Sequence, residues 1–197
     1  MPTGDADVDL LERWRAGDKA AGEELFARYF DSLAGFFVTK CAEPDDLVQR
    51  TLLACVNAKE QFRGQSSFRT YLFTIARHEL YHQLRRGRAD RERLDFSVTS
   101  IAELVTTPGT KLARHAEQQR MLQVLRELPV EAQTLLELYY WEDLEVAALA
   151  EIFELTPNAV RVRLHRARQQ LRDALVARGD AASTAWLDAK PATDPAD

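Results

Sequence analysis

His78-Glu79-Leu80-Tyr81-His82 has the spacing in which two histidines one helical turn apart hold zinc while a glutamate between them acts as general base. Hydrolysis by a metal-bound water would be its chemistry. No obvious third ligand accompanies it, and the downstream arginines Arg85, Arg86, Arg88, Arg91 and Arg93 would repel a dication. A second grouping has a different use. From Asn158 to Arg172 the chain carries Arg161, Arg163, Arg166, Arg168 and Arg172 with no acidic residue among them. Guanidinium groups at that density suit phosphates and base edges, which is binding rather than bond-making. The expectation is a protein without metal, cofactor or catalytic residues.

Helices must carry both groupings. Phe26, Phe30, Leu33 and Phe37 recur at helical steps, as do Leu47, Thr51, Ala54 and Cys55, and no alternating strand pattern appears. Pro44 suits the first turn of the second of these helices and Gly64 its end, and Ser66 or Ser67 can cap the helix running through Leu72, Ile75 and Ala76. Between residues 95 and 110 the chain turns to Ser, Thr, Pro and Gly, with Asp95 and Glu103 and no basic residue. Helical spacing resumes at Met121, Leu122 and Leu125, breaks at Pro129 and returns at Leu135, Leu136 and Tyr139. This pattern predicts an all-α protein of two small helical domains, residues 1–94 and 113–178, joined by a flexible acidic linker over 95–112. The second domain contains a helix-turn-helix, and residues 179–197 form a mobile tail in which Trp186 is able to dock.

Thr156 as N-cap and Pro157 at the first position start a helix that runs to about Leu171, and the shorter helix with Leu149, Ala150 and Phe153 ends only a Glu154-Leu155 turn before it. That is the spacing of a helix-turn-helix. Val160, Leu164, Ala167 and Leu171 define the inward stripe, so Asn158, Val162, His165 and Gln169 point outward, flanked by Arg161, Arg168 and Arg172 on one side and Arg166 on the other. Glu154 stands where such turns often have glycine, so the turn is made without glycine's conformational freedom.

The charge of the 197-residue chain is −5, with 46% hydrophobic content. The average conceals a segregation into an acidic amino-terminal stretch and two basic stripes. No apolar run approaches the ~18 residues of a membrane helix, and the acidic start lacks the basic n-region of a signal peptide. A cytoplasmic protein without membrane insertion is expected. Cys41 and Cys55 lack metal or redox spacing and read as reduced core residues.

The string from Leu128-Pro129 through Leu144, Ala150-Glu151-Ile152, Val160-Arg161 and Arg163-Leu164-His165-Arg166-Ala167-Arg168 resembles region four of the extracytoplasmic-function (group 4) sigma factors of the sigma-70 family. Asp46-Leu47-Val48-Gln49 resembles the polymerase-binding segment of their region two. Phe62-Arg63-Gly64-Gln65-Ser66-Ser67-Phe68-Arg69-Thr70-Tyr71-Leu72 resembles its promoter-melting segment, followed by Ile75-Ala76-Arg77 and Leu84-Arg85-Arg86. The resemblance spans roughly Leu10 to Leu175 and implies a subunit that carries bacterial core RNA polymerase to promoter DNA and opens it, with an anti-sigma factor as a further partner. Asp45, Asp46, Leu47 and Gln49 would then form the docking segment, its polar members accepting hydrogen bonds from a partner's Arg or Lys. Phe62, Arg63, Ser66, Ser67, Arg69, Tyr71, Arg77, His78, Arg85 and Arg86 would serve the minus-ten element, combining stacking faces with backbone contacts. Asn158, Arg161, Val162 and His165 would read the minus-thirty-five element while Arg163, Arg166 and Arg168 hold phosphates. The chain departs from the family pattern at His78 for asparagine, Tyr71 for tryptophan, Arg50 for an acidic residue and Ala159 for threonine. A stand-alone helix-turn-helix regulator is the rival reading, but it has no use for the docking segment or the aromatic, serine-rich loop.

Overall fold

The computed structural model describes residues 3–58, 62, 66–86, 94–104, 116–180, 184 and 187, among which there are nine α-helices and no strand beyond one isolated bridge between Ser100 and Pro129. The helices are α1 (Thr3–Arg15), α2 (Lys19–Val38), α3 (Pro44–Asn57), α4 (Phe68–Arg85), α5 (Ile101–Leu104), α6 (Ala116–Glu127), α7 (Val130–Tyr140), α8 (Val146–Phe153) and α9 (Pro157–Ala177). The all-α expectation holds. Arg63, Gly64, Arg88, Arg91, Arg93 and Trp186 lie outside the described residues.

The first half is built on α1 to α4. Asp18 caps α2, its carboxylate accepting from the Ala21 amide at 3.2 Å. Trp14 of α1 lies so close on Gly22 that a β-carbon there would sit 2.6 Å from the indole ring, so α1 and α2 meet at a glycine. Leu25, Tyr29, Leu33, Phe36 and Phe37 form the buried face of α2. The expected stripe is rotated by about one residue: Phe30 is 48% exposed and Tyr29 is inward, its hydroxyl bonded to the buried carboxylate of Asp7. α3 opens at Pro44 as expected but ends at Asn57, well short of Gly64. Ser67, one of the two expected caps, accepts from the Thr70 amide at 3.1 Å and starts α4.

The second half packs α6, α7 and α8 around α9. Val160, Leu164, Ala167, Leu171 and Leu175 are the buried positions of α9, the expected stripe continued one turn further. The linker's near end is seated rather than free: Phe96 stacks on Tyr81 with ring centres 4.4 Å apart, and Ser100 and Glu103 form a reciprocal capping box at α5. The carbonyls of Thr99 and Phe96 accept from the Val130 and Glu131 amides at 2.9 and 3.0 Å, satisfying donors that the first turn of α7 cannot pair within the helix. Leu187, within the tail expected to be mobile, is 2% exposed and joins a cluster with Leu125, Leu136, Leu171 and Leu175; its carbonyl accepts from the Tyr140 hydroxyl at 2.9 Å. An apolar side chain there covers leucines that α6, α7 and α9 leave open at one end.

The halves share one core. Phe73, Ala76 and Leu80 of α4 belong to the same buried cluster as Leu149, Ile152 and Phe153 of α8, and α4 and α8 lie directly against one another. Lys40, 0% exposed, donates to the Phe36 carbonyl at 2.6 Å and is ion-paired with Glu137 of α7. Glu137 also accepts from Gln133 at 2.7 Å and Thr39 at 3.2 Å. Burial pulls the Lys40 ammonium below its ordinary pKa, with the Glu137 carboxylate opposing that shift.

Candidate nucleic-acid interface

α9 is the best-defined candidate surface. Thr156 accepts from the Ala159 amide at 3.2 Å and Pro157 follows at the first position, so the start of the helix is fixed by its own chemistry. Glu154 closes α8 in the left-handed conformation at φ 57°, and the Leu155 amide donates back to the Ala150 carbonyl at 2.9 Å. The turn therefore has the geometry that glycine usually supplies, at a cost of roughly 1 kcal/mol for a residue with a β-carbon. Asn158, Val162, His165 and Arg166 are exposed on the outward side, as the stripe required.

The arginines of α9 divide by position. Arg163 pairs with Glu131 of α7, and the Arg168 guanidinium lies 5.3 and 5.5 Å from the ring centres of Tyr139 and Tyr140. Both were expected to hold phosphates, and both also brace α9 against α7. Arg161 is half-buried at the edge of the outward face.

In the first half, the expected melting residues separate into core and surface. Phe62 and Phe68 are buried, with ring centres 6.4 Å apart; Phe68 also packs on Tyr29, and Arg15 donates to the Phe62 carbonyl. They are wall rather than stacking platform. Tyr71 is half-buried against Phe62 at 4.9 Å and donates to the Ala58 carbonyl at 3.3 Å. Ser66 is half-buried, Ser67 is engaged as the cap, and Arg86 is exposed just past α4. Arg85 lies over the Phe96 ring at 4.8 Å. Arg69 donates to Glu142 at 2.7 Å, Arg77 donates to the Ile152 carbonyl at 2.8 Å, and His78 meets Glu154 at 3.2 Å. His78 and His82 are both exposed, and among the described residues no group of three or more potential ligands is placed to hold a metal.

On α3 the expected docking segment keeps Asp45 and Gln49 exposed, but Leu47 is 1% exposed and belongs to the core. Leu47 lies on the inward side of the same turn, so it supports the segment rather than touching a partner. Asp46 is ion-paired with Arg50 at 2.7 Å, and Arg50 reaches Gln83 of α4 at 3.1 Å. The sequence reading missed Leu53 and Val56, 60% and 41% exposed. They follow Asp46 and Gln49 at steps of four and three residues, giving one continuous outward stripe. Their being apolar yet off the Leu47, Thr51 and Cys55 register was the available signal.

Residues 25–90 match the family model described as sigma-70 region 2, and residues 118–171 match sigma-70, region 4. The chain is 31% identical over 174 residues to RNA polymerase sigma factor CarQ of Myxococcus xanthus, covering 84% of this chain and 95% of that protein. It is 29% identical over 186 residues to RNA polymerase sigma-H factor of Pseudomonas aeruginosa, covering 89% and 96%. Among solved structures, CnrH in complex with the cytosolic domain of CnrY is similar at TM-score 0.67 and 24% identity, covering 87% of this chain and 98% of that one. The sigma factor RpoE in complex with the anti-sigma factor NepR from Bartonella quintana is similar at TM-score 0.62 and 23% identity, covering 78% and 95%. With two family models in the expected order and relatives matched over nearly their whole length, the chain belongs to the extracytoplasmic-function sigma factors of the sigma-70 family.

Proposed function

We propose that α9 is the upstream anchor of this sigma factor, with Asn158, Arg161, Val162 and His165 at base edges of the minus-thirty-five element and Arg163, Arg166 and Arg168 at phosphates. The chain directs bacterial core RNA polymerase to promoters and takes part in opening them. The observation that carries the reading of α9 is its exposed row of Asn158, Val162, His165 and Arg166 over a fully buried opposite stripe, behind a left-handed turn. A helix so held presents its outward side in one orientation, which base reading requires.

α4 is the downstream anchor in the same reading. Arg69, Tyr71, Arg77, His78, Arg85 and Arg86 contact the minus-ten strand together with Arg63, Ser66 and Ser67, while Phe62 and Phe68 hold the wall behind them. Asp45, Asp46 and Gln49 dock on core polymerase, with Leu53 and Val56 adding an apolar half to that contact. Residues 1–94 and 113–178 are the two functional domains. Phosphoryl transfer belongs to the polymerase, so the chain contributes binding and DNA distortion rather than covalent catalysis, and it acts in the cytoplasm where core enzyme works. An anti-sigma factor is a further partner, by analogy with the two neighbouring complexes.

The test is transcription in vitro on a genomic fragment library, with core polymerase, with and without this protein. New start sites sharing two spaced elements support the reading. Operator binding without core enzyme, and no new start sites with it, would replace it with the stand-alone regulator.

A further inference from the structure

Among Asn158, Arg161, Val162, His165 and Arg166 on the outward side of α9, Val162 alone has neither a side-chain donor nor an acceptor. It is 43% exposed, although Val160 and Leu164, two positions to either side, are each 0% exposed. Two positions along a helix turn a side chain by about 200°, so the burial of both neighbours fixes Val162 at the crest of the opposite face. Asn158 stands one turn before it, and His165 and Arg166 stand one turn after it, all exposed. Arg161 and Arg163 lie about 100° to either side of it. The crest of a helix seated in the major groove faces the base edges on the groove floor, while its flanks face the phosphates at the walls.

The chemistry of that floor is restricted. Each base pair shows hydrogen-bond donors and acceptors there, and thymine alone adds an apolar group, its 5-methyl. An apolar side chain gains nothing from the donors and acceptors, which it strips of water without replacing their bonds. It gains from covering a methyl group, which takes apolar surface out of water on both partners. Valine suits this use, because a helix holds a β-branched side chain in essentially one χ1 rotamer and so aims its methyl groups in advance. An exposed valine by itself marks nothing: Val176, about 21 Å further along the same helix, is 54% exposed beyond the arginine-rich stretch. Val162 differs in standing at the centre of the arginine- and amide-bearing row.

We infer that Val162 selects a thymine within the minus-thirty-five element by covering its 5-methyl group. The inference deepens the assignment of α9 to that element and rests on it.

The experiment uses holoenzyme assembled from core polymerase and the full chain, as wild type, V162A, V176A and R166A. Affinity is measured for a duplex carrying the strongest promoter returned by the fragment library. Each thymine of the minus-thirty-five element, on either strand, is replaced singly by deoxyuridine, which removes the methyl group and leaves base pairing intact. With wild type and V176A, one position should show a loss of about fourfold, the scale of one methyl-sized group left in water. With V162A the loss at that position should vanish. A loss of the same size with V162A, or no loss at any position with wild type, overturns the inference. R166A separates that failure from failure of the underlying assignment. As a phosphate contact Arg166 should, when removed, weaken binding to every probe alike; if R166A binds all probes as wild type does, α9 is not on the duplex and the assignment itself falls.

Discussion

Replacing Glu137 by leucine leaves the Lys40 ammonium, 0% exposed, without its counter-ion. Lys40 would keep the Phe36 carbonyl at 2.6 Å, the Thr39 hydroxyl at 3.3 Å and the Phe36 ring face at 4.0 Å, none of which carries a full negative charge. Breaking a buried pair from one side costs about 3 to 5 kcal/mol, whereas replacing both partners by apolar residues of similar volume is often neutral or stabilising. The expected order of stability is therefore Lys40→Met/Glu137→Leu at or above wild type, with Lys40→Met and Glu137→Leu well below. For a chain of this size each kcal/mol moves the melting temperature by roughly 2 to 4 °C, so the single variants should melt about 6 to 20 °C lower. Urea unfolding followed by circular dichroism on all four proteins gives the coupling energy directly. A Glu137→Leu protein within about 1 kcal/mol of wild type would refute the reasoning, because it would mean that the pair is hydrated. Additive losses in the double variant would refute it equally, by showing that the two residues act separately.

On α3, Leu53→Asp and Asp46→Arg should each weaken capture of core polymerase at least about tenfold while leaving the melting temperature near wild type, as for exposed positions; Leu47→Asp should instead prevent folding, and pull-down with circular dichroism separates the two outcomes. On α9, Arg161→Ala should cost ~1 to 3 kcal/mol and relax one promoter position, whereas Arg166→Ala should lower affinity on all sequences and flatten the salt dependence; equal losses on every promoter for Arg161→Ala would count against base reading. Burial pushes the Cys41 thiol up to about 11 and the Cys55 thiol up to about 12 from an ordinary 9.0. A folded-state pKa raised in this way gives stability that is whole below the unfolded value and lost as pH rises through the folded value. Both thiols should thus resist a disulfide reagent near neutral pH until urea unfolds the chain, and Cys55→Val should lose less stability than wild type between pH 9 and 12. Labelling of the native protein at the unfolded rate would show that the burial is wrong.

What the sequence disclosed was whatever its local pattern determines. The stripe of α9, the Thr156 cap, Pro157, Ser67 and the break at Pro129 all depend on residues within one or two turns of each other. The face of α2 was misjudged by about one position because phenylalanine occurs at Phe26 and Phe30 while the inward residues, Leu25 and Tyr29, are spaced by the same four. Tyr29 turns inward, where Asp7, 22 residues earlier, accepts a hydrogen bond from its hydroxyl. Likewise Lys40 finds its carboxylate 97 residues away, and Arg69 finds Glu142 at a separation of 73. Nothing in helical periodicity reports such partners. The candidate surfaces were therefore legible as lists of residue types, while their division into wall, brace and contact required the packing of helices within each half. Phe62, Phe68 and Leu47 became wall for that reason, and Arg163 and Arg168 became braces.

The seated linker has one more consequence. Its carbonyls at Phe96 and Thr99 grip the start of α7, and the rest of the chain tethers that helix to α4 by covalent bonds. Association of the two halves is consequently intramolecular, with an effective concentration on the order of millimolar for a short tether. Dilution cannot part them. Only a competitor with its own binding free energy for one half can do so.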